Sequence, residues 1–301
     1  MRIVHLDMGR ELRGGQRQVL LLTKGLQEAG HECALLARGG CPLWKAAESE
    51  GIPIREANIS GVRECSATAD LLHAHDSRAH SLAALACRRR PFVVSRRVAF
   101  PIQQGWASRW KYRRAGRYLA VTEFVARELE RAGIERSRID IVPDGVEIAA
   151  GSSELPPSSR IVALALHDPA KGRDLVEQAE RLLERPVVYS DDVLRDLPGA
   201  GAFLYITRSE GFGSAALLAM SFGVPVIASR VGGLPEVLGE DGGLLVENQP
   251  QEISKAVQKV LEDRDFARSL VLRARQRVNK CFSKARLIER TLESYARALR
   301  G

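Results

Sequence analysis

The sequence contains no apolar run that approaches the ~18 to 20 residues that a membrane-spanning helix needs. Its opening, MRIVHLDMGRELRGG, also lacks the apolar core and the small-residue cleavage site of a signal peptide. We therefore expect a cytoplasmic protein.

Disulfide and metal-ligand patterns are missing as well. The five cysteines are scattered without a C-x-x-C pair, which is typical of reduced thiols in a cytosolic protein. The six histidines form no H-E-x-x-H motif, and no Cys/His cluster offers three ligands at metal spacing. The pattern predicts no protein-bound metal.

Acidic residues are absent from residues 88–117, which hold ten Lys and Arg. This uneven charge favours an anionic partner. Nucleic acid is disfavoured, because the net charge of +8 is modest for 301 residues and no helix-turn-helix, zinc-finger or RNP signature is present. A basic face that is simply solvated, beside some core aromatics, is the alternative.

The length and composition predict two folded domains. A chain of 301 residues is about twice the common domain size, and 45% apolar with 27% charged residues is ordinary globular composition. Short apolar runs alternate with helical patterns from IVHLDM at residues 3–8 to RIDIVPDG at 138–145, and again from RIVALAL at 160–166 to GLLVE at 243–247. Such alternation predicts parallel sheets covered by helices on both faces.

A polar, turn-forming stretch at 151–160 interrupts this alternation and marks the domain boundary. We expect an N-terminal Rossmann-like domain over 1–152, a C-terminal one over 153–285, and a terminal helix over 286–301 that packs back on the first domain. Residues 146–159 are the candidate hinge. Ligands of open α/β sheets bind at the carboxyl ends of the strands, so the expected site is a cleft between the two domains.

The most informative segment is SEGFGSAALLAMSFGVPVIASRVGGLPEVLGEDGGLLV at 209–246. Glu210 leads through Gly211 and Phe212 into Gly213, and a helix is predicted to begin at once. Glycine allows a close backbone approach, and the N–H groups at a helix start suit a diphosphate. A plain strand-to-helix turn capped by Ser214 would carry the same pattern.

This segment is similar, nearly position by position, to the donor-binding segment of family 4 (group 1) glycosyltransferases of the GT-B fold. Further segments agree in the same order along essentially the whole chain. They are Gly14-Gly15, Gly30-His31-Glu32, His73-Ala74-His75, AVTEFVARELERAGI with IDIVPDGVE, Lys171-Gly172, Gly232-Gly233 and Gly242-Gly243.

The resemblance implies two Rossmann-like parallel-sheet domains facing a cleft, the second one abbreviated. It implies transfer of a hexosyl group from a nucleotide-sugar donor with retention of configuration and without a cofactor or essential metal. Lys171 and the helix start would neutralise the leaving diphosphate, while Glu210 would bind hydroxyls of the donor sugar. The implied donor contacts are Gly14, Gly15, Phe212, Gly213, Ser214 and Ala215.

The basic segment lies in the first domain, where the family binds its acceptor. Aromatic and basic residues interleave there, which suits an anionic glycolipid or polysaccharide of the cell envelope, such as a lipopolysaccharide core, and peripheral contact with the inner membrane face. The expected acceptor contacts are Arg96, Arg97, Trp106, Trp110 and Lys111.

Three positions depart from the family pattern. Leu218 stands where a second glutamate binds the nucleotide ribose, and Ala165 stands where an arginine grips the diphosphate; Arg173 could replace that arginine only if its loop turns it inward. Arg96-Arg97 occupies the place of a histidine near the reaction centre, which leaves His75 as the candidate catalytic histidine. The run RPVVYSDDVLRDLPGAGAFLYIT also has room for only one strand and a short helix.

These departures favour one alternative, a degenerate GT-B protein that binds sugar, nucleotide or a partner without turnover. A Rossmann dehydrogenase is disfavoured, because no G-x-G-x-x-G follows the first strand.

Overall fold

The computed structural model describes residues 1–87, 90–103, 105–148, 158–165 and 168–300. The chain forms two compact units, unit 1 comprising Met1–Gly145 with Lys284–Gly301 and unit 2 comprising Val146–Ser283. The position at which we placed the domain boundary, between 152 and 153, falls outside the described residues.

Unit 1 alternates strands and helices through its first part. The strands are β1 (Arg2–Leu6), β2 (Glu32–Ala37), β3 (Ile54–Glu56), β4 (Leu71–Ala74), β5 (Phe92–Arg96), β6 (Arg117–Ala120) and β7 (Ile139–Ile141). The helices are α1 (Gly14–Glu28), α2 (Pro42–Ser49), α3 (Ile59–Thr68), α4 (Ser77–Ala86), α5 (Trp106–Arg114) and α6 (Glu123–Arg131).

The seven strands of unit 1 are parallel in the order β3-β2-β1-β4-β5-β6-β7. Apart from the edge strand β3, their apolar runs are buried on both faces, as a parallel sheet between helices requires. The strand order reverses between β1 and β4, and such a switch point opens a crevice at the carboxyl ends of the strands. Any ligand site of unit 1 is therefore expected beyond Leu6 and Ala74.

Unit 2 is smaller and follows the same construction. Its strands are β8 (Ile161–Leu164), β9 (Val187–Ser190), β10 (Ala202–Tyr205), β11 (Val226–Ser229) and β12 (Leu244–Val246). Its helices are α7 (Arg173–Leu183), α8 (Val193–Asp196), α9 (Ser214–Phe222), α10 (Leu234–Leu238), α11 (Pro250–Glu262) and α12 (Arg264–Cys281).

The five parallel strands of unit 2 have the order β12-β11-β10-β8-β9, so its switch point lies between β8 and β10. Within 168–300, only β9 and the four-residue α8 lie between α7 and β10. The prediction of two parallel-sheet domains, the second abbreviated, is confirmed.

The last helix, α13 (Lys284–Arg300), belongs to unit 1. It buries Leu287, Tyr295 and Ala298 in one apolar cluster with Leu22 and Leu26 of α1. At the join of the units the backbone N–H of Val146 donates to the carbonyl of Phe282 at 2.9 Å, and Val146 forms a parallel bridge with Ser283. None of the described helices has the length and apolar character to cross a membrane.

Candidate functional site

A lysine–glutamate pair lies at the switch point of unit 2. Lys171 ends a short 3-10 turn after β8, and Glu210 follows β10, so both side chains reach the same sheet edge. The Lys171 Nζ donates to Glu210 Oε2 at 2.8 Å, and the two side chains are 27% and 14% exposed. The structure therefore brings together the two residues that we assigned to catalysis in this domain.

Glu210 accepts further hydrogen bonds. The Tyr205 hydroxyl donates to Oε2 at 2.7 Å, and the N–H of Gly211 donates to Oε1 at 3.0 Å. Burial alone would raise the pKa of Glu210, but the charge and hydrogen bond of Lys171 outweigh it and hold this pKa below its ordinary value. Burial, with Glu210 beside it, raises the pKa of Tyr205 well above its ordinary value. The carboxylate is thus held ionised in a largely buried position.

The loop into α9 is fixed by glycine. Gly213 has φ +94°, and a Cβ there would lie 2.6 Å from Leu234 Cδ2. Gly232 has φ +58°, and a Cβ there would lie 1.9 Å from the carbonyl oxygen of Glu210. Because α9 begins directly at Ser214 with no acidic residue in its first turn, its N-terminal N–H groups and its dipole favour an anion.

The predicted donor contacts differ in accessibility. Ser214 and Ala215 are half-buried at the start of α9. The Phe212 side chain is 2% exposed and packs edge-on against Phe282, with ring centroids 5.8 Å apart. A ligand could therefore reach Phe212 only through its backbone.

Arg173 does not take the place of the arginine that is missing at Ala165. Arg173 donates to Glu177 at 2.8 Å and stacks over the Tyr189 ring at 4.6 Å, so its guanidinium is held along α7. Leu218 is half-buried on α9. Arg208 forms two hydrogen bonds to Asp174, at 2.8 and 2.6 Å, and lines a groove of about 630 Å³ with it.

Three histidines meet at the switch point of unit 1. His5 lies opposite His73 in the register of β1 and β4, and His75 follows His73 by two, so all three side chains share one face of the sheet. The His5 Nδ1 and His75 Nε2 are 2.9 Å apart. Burial, and then neighbouring charge, lowers the pKa of His5 to about 3 and holds those of His73 and His75 well below the ordinary value.

The guanidinium of Arg97 decides which nitrogens carry protons. Its Nε donates to Asp144 at 2.8 Å, and another of its nitrogens lies 3.5 Å from His75 Nδ1. Because arginine only donates, His75 Nδ1 must accept, and its Nε2–H then donates to His5 Nδ1. Both ring nitrogens of His75 are thus engaged, and the assignment of His75 as catalytic stays a prediction.

The ring nitrogens of His5, His73 and His75 lie within 4.8 Å of one another, close enough to hold a metal ion. However, both nitrogens of His73 are already engaged, by Tyr295 at 2.6 Å and by Ser95 at 2.8 Å. The nearby Arg97 charge also opposes a cation at this place. The cluster is therefore better suited to a role as neutral, hydrogen-bonded imidazoles at the switch point than to metal binding.

The glycine loop of unit 1 lies beside the histidine cluster. α1 begins at Gly14, and a Cβ on Gly15 would lie 4.0 Å from the Arg97 Cδ. The buried carboxylate of Asp7, at the end of β1, accepts from Gln16 of the same helix. Burial and the charge of Asp76 raise the pKa of Asp7.

The predicted acceptor residues do not form one cluster. Arg97 pairs with Asp144, while Arg96 donates to the Phe100 carbonyl and to the Tyr112 hydroxyl. The Lys111 ammonium donates to two serines of α4 and lies 5.3 Å above the Tyr112 ring. Trp106 and Trp110 instead line a surface groove beside α5, which neither Arg96 nor Arg97 reaches.

Two contributors to these sites escaped sequence reasoning. Tyr205 reads as an apolar strand residue, and only its place five positions before Glu210 could have indicated a role. Asp7 follows an apolar strand directly, and a carboxylate at a predicted strand end was the available signal.

Comparison with solved structures gives the class of the fold. HepE from Anabaena, solved in complex with UDP, has a TM-score of 0.84 at 15% identity, with 98% of this chain and 100% of that chain covered. The same protein was also solved with UDP-glucose. Together with the two parallel sheets, this likeness defines a GT-B fold.

Family models identify the chain more closely. Glycosyltransferase Family 4 matches residues 12–150, and Glycosyl transferases group 1 matches residues 165–277. The chain belongs to the family 4, group 1 glycosyltransferases.

Curated relatives are similar over shorter stretches. Trehalose synthase of Rubrobacter xylanophilus is 38% identical over 90 residues, which is 30% of this chain and 21% of that protein. O-antigen chain mannosyltransferase B of Escherichia coli is 43% identical over 72 residues, 23% of this chain and 19% of that protein. The matches thus span about a fifth of the length of these two relatives.

Proposed function

We propose that this chain transfers a hexosyl group from a nucleotide-sugar donor, held on unit 2, to an acceptor hydroxyl with retention of configuration. One observation carries the proposal: Lys171 and Glu210 pair beside the first turn of α9, at the switch point of the sheet. A cation and a helix N-terminus favour a diphosphate, and a buried carboxylate accepts hydrogen bonds from sugar hydroxyls.

The chemistry requires stabilisation of the leaving group. The bond between the anomeric carbon and the diphosphate oxygen breaks, and the nucleoside diphosphate leaves with the electron pair. The acceptor oxygen bonds to the same carbon on the face that the diphosphate leaves, and its proton passes to the leaving phosphate oxygen. Lys171 and the α9 N–H groups, already held in place by the fold, are the groups that would offset the charge on the diphosphate.

The identity of the nucleobase in the sugar donor is the next part of the proposal. HepE was solved with UDP and with UDP-glucose, which supports a uridine nucleotide as the first donor to test. The half-buried Leu218 offers no hydroxyl-binding carboxylate, so ribose contacts would have to come from other groups.

For the acceptor we propose an envelope glycolipid or polysaccharide, reached from the cytoplasm at the inner membrane face. Support comes from the basic segment of unit 1 and from the similarity to an O-antigen chain mannosyltransferase.

We also propose that no metal or cofactor is needed. Lys171 and the helix N-terminus supply the positive charge that a divalent cation would otherwise bring to a diphosphate. Donor hydrolysis should then persist in EDTA, and a requirement for added Mg²⁺ or Mn²⁺ would contradict this.

The deciding experiment combines nucleotide binding with donor hydrolysis. The thermal unfolding of the protein is followed with UDP, GDP, ADP, CMP and their sugar conjugates, since a ligand of the folded state raises its stability. We expect one nucleotide to shift the transition and its conjugate to be slowly hydrolysed. Lys171→Ala should lower hydrolysis about 100-fold or more, the usual effect of removing an electrostatic contact to the transition state, and Glu210→Ala should abolish it.

Lys255→Ala is the matched control, because Lys255 also faces a glutamate, Glu252, at 3.8 Å but on the exposed surface of α11. It should behave as the wild type. Equal losses in the control and in Lys171→Ala would refute the assigned site.

A non-catalytic GT-B protein is the second candidate. The observation in its favour is that Lys171 and Glu210 neutralise each other, while Ala165 and Leu218 add no polar side chain. Nucleotide-dependent stabilisation without hydrolysis of any conjugate would select this function.

A further inference from the structure

One exposed face of α5 combines tryptophan with arginine. Trp106, Arg109, Trp110 and Arg113 follow the spacing i, i+3, i+4, i+7, so they share one side of the helix. Trp106 is 85% exposed and Trp110 is 42% exposed. Single exposed apolar residues are ordinary, whereas two exposed indoles on one helix face indicate an interaction surface.

This face forms one wall of a groove of about 990 Å³. The residues that line it include Trp106, Trp110, Arg90, Arg109, Arg113 and Arg114. Four of these residues are arginines, and none of the described lining residues carries a carboxylate. The groove therefore has a positive potential that an anion would complement.

The arginines of the groove differ in their hydrogen-bond partners. Arg114 donates to the Cys87 carbonyl at 2.9 Å and stacks 5.7 Å from the Trp110 ring, so it supports the groove wall. Among the residues that the structure describes, Arg109 and Arg113 have no acceptor for their guanidinium groups. These two are available to an incoming ligand.

The groove extends away from the histidine cluster. It reaches Phe92 at the amino end of β5, whereas Arg96, at the carboxyl end, lies about 13 Å further along the strand at the usual rise per residue. The expected acceptor residues thus fall into two places, and the groove lies at the strand end opposite to the switch point of unit 1.

We propose that this groove docks unit 1 onto a bilayer that contains anionic phospholipid. Arg109 and Arg113 pair with lipid phosphates, and Trp106 and Trp110 enter the interface between headgroups and acyl chains, where indole rings are favoured. A soluble anion would engage the guanidinium groups but leave the protruding Trp106 in water. The inference rests on the proposed site of action at the membrane and names the surface that makes the contact.

Vesicle sedimentation tests the proposal on the full chain. The protein is mixed with vesicles of phosphatidylcholine alone or of phosphatidylcholine with phosphatidylglycerol. We expect binding to the anionic vesicles that weakens with salt. Arg109→Ala with Arg113→Ala should lower the partition coefficient about 30-fold, which corresponds to about 1 kcal/mol for each arginine near the surface.

The control removes the same charge elsewhere. Arg63 and Arg185 are exposed and lie outside the groove, so Arg63→Ala with Arg185→Ala should lower binding far less. Equal losses in both double variants would mean that binding responds only to net charge, and would refute the groove as the binding surface. Unchanged binding in the Arg109/Arg113 variant, or equal binding to neutral vesicles, would overturn it too.

Tryptophan emission gives a second readout. The chain has three tryptophans. The third, Trp44 of α2, packs against an apolar cluster outside the groove. Anionic vesicles should shift the emission of the wild type to shorter wavelength, and Trp106→Phe with Trp110→Phe should remove the shift. A shift that persists in this variant would contradict insertion of this face.

Sugar-donor hydrolysis without vesicles separates the two proposals. The Arg109/Arg113 variant should retain it, because neither residue belongs to the donor site. Loss of vesicle binding with intact hydrolysis would then leave the transferase proposal standing, and vesicle binding without any hydrolysis would leave only the docking surface.

Discussion

The backbone at Gly213 shows how closely a single position can be specified. Its positive φ and its contacts with Leu234 and Tyr205 exclude a side chain, and the start of α9 depends on that conformation. The sequence pattern GFGS predicted the glycine turn, since a close backbone approach before a helix is the ordinary reason for glycine there. It could not predict the pairing of Lys171 with Glu210, because these residues are 39 positions apart and meet only through the strand order.

Gly213→Ala should lower the free energy of unfolding of unit 2 by about 1–3 kcal/mol, the cost of a strained backbone position, and more if Leu234 cannot move. Denaturant unfolding measures it. Gly30→Ala is the control, because Gly30 also has positive φ, at +84°, but an added Cβ meets nothing within 4 Å. If both variants lose the same stability, the contact with Leu234 has no role.

The buried histidines make unit 1 sensitive to acid. The pKa of His5 is about 3 in the folded state and 6.5 ordinarily, so folding keeps this ring neutral. Its stabilisation is complete above pH 6.5 and is lost as the pH falls toward 3, because the unfolded chain binds the proton first. From pH 7 to pH 5 the loss for His5 is about 2 kcal/mol.

Chemical unfolding at several pH values checks this prediction, and His5→Gln should have a shallower pH dependence than the wild type. An identical slope in the two proteins would show that His5 does not remain neutral.

At the scale of elements, strands were predictable and some helices were not. Most of the strands are recognisable as short apolar runs, because both faces of a central parallel strand are buried; the edge strand β3, with the exposed Arg55 and Glu56, is not such a run. By contrast, the sequence pattern indicates no helix at α3, α5 or α10. In α5 only Tyr112 is buried, so no apolar stripe of helical period exists to reveal it.

A buried carboxylate contributes to the docking of α13. Asp140 of β7 accepts from Arg117, Ser294 and Arg297, at 2.6, 2.7 and 2.5 Å, and so ties α13 to the sheet. Burial would raise the pKa of Asp140, but these hydrogen bonds and the charge of Arg117 lower it. Its contribution is present above the unfolded pKa of about 4 and is lost as the pH falls through the lower folded pKa.

Asp140→Asn should therefore cost about 3 kcal/mol near neutral pH, since it leaves the half-buried Arg117 without its charge partner. The difference from the wild type should shrink below pH 3. Asp70→Asn, which alters an exposed acceptor for the Arg2 backbone, is the control and should be nearly neutral. A pH-independent loss would indicate altered packing instead of a lost charge.

At the scale of the whole molecule, unit 2 is one continuous segment and unit 1 is not. Unit 1 needs both Met1–Gly145 and the distant α13 to close its apolar cluster. The alternation of strands and helices predicted two domains and a returning terminal helix. It gave no register for that helix, because Tyr295 and Ser294 meet their partners only in the folded unit.

A fragment of residues 146–283 should fold on its own and bind the same nucleotide as the full chain. Residues 1–145 without α13 should expose Leu22 and Leu26 and aggregate or unfold. Circular dichroism and nucleotide-dependent melting of each fragment provide the measurement. A folded, cooperative 1–145 fragment would mean that α13 contributes little to unit 1.

The bridge between Val146 and Ser283 has a consequence for how this chain tolerates change. The first and last residues of unit 2 lie side by side, so unit 2 is inserted into unit 1 at a single point. A shortening of unit 2 therefore need not strain unit 1. Unit 2 can thus be abbreviated to five strands while the seven-stranded sheet of unit 1 keeps its register. By the same geometry, a short glycine linker from Gly145 to Lys284 would release unit 1 as a protein in its own right.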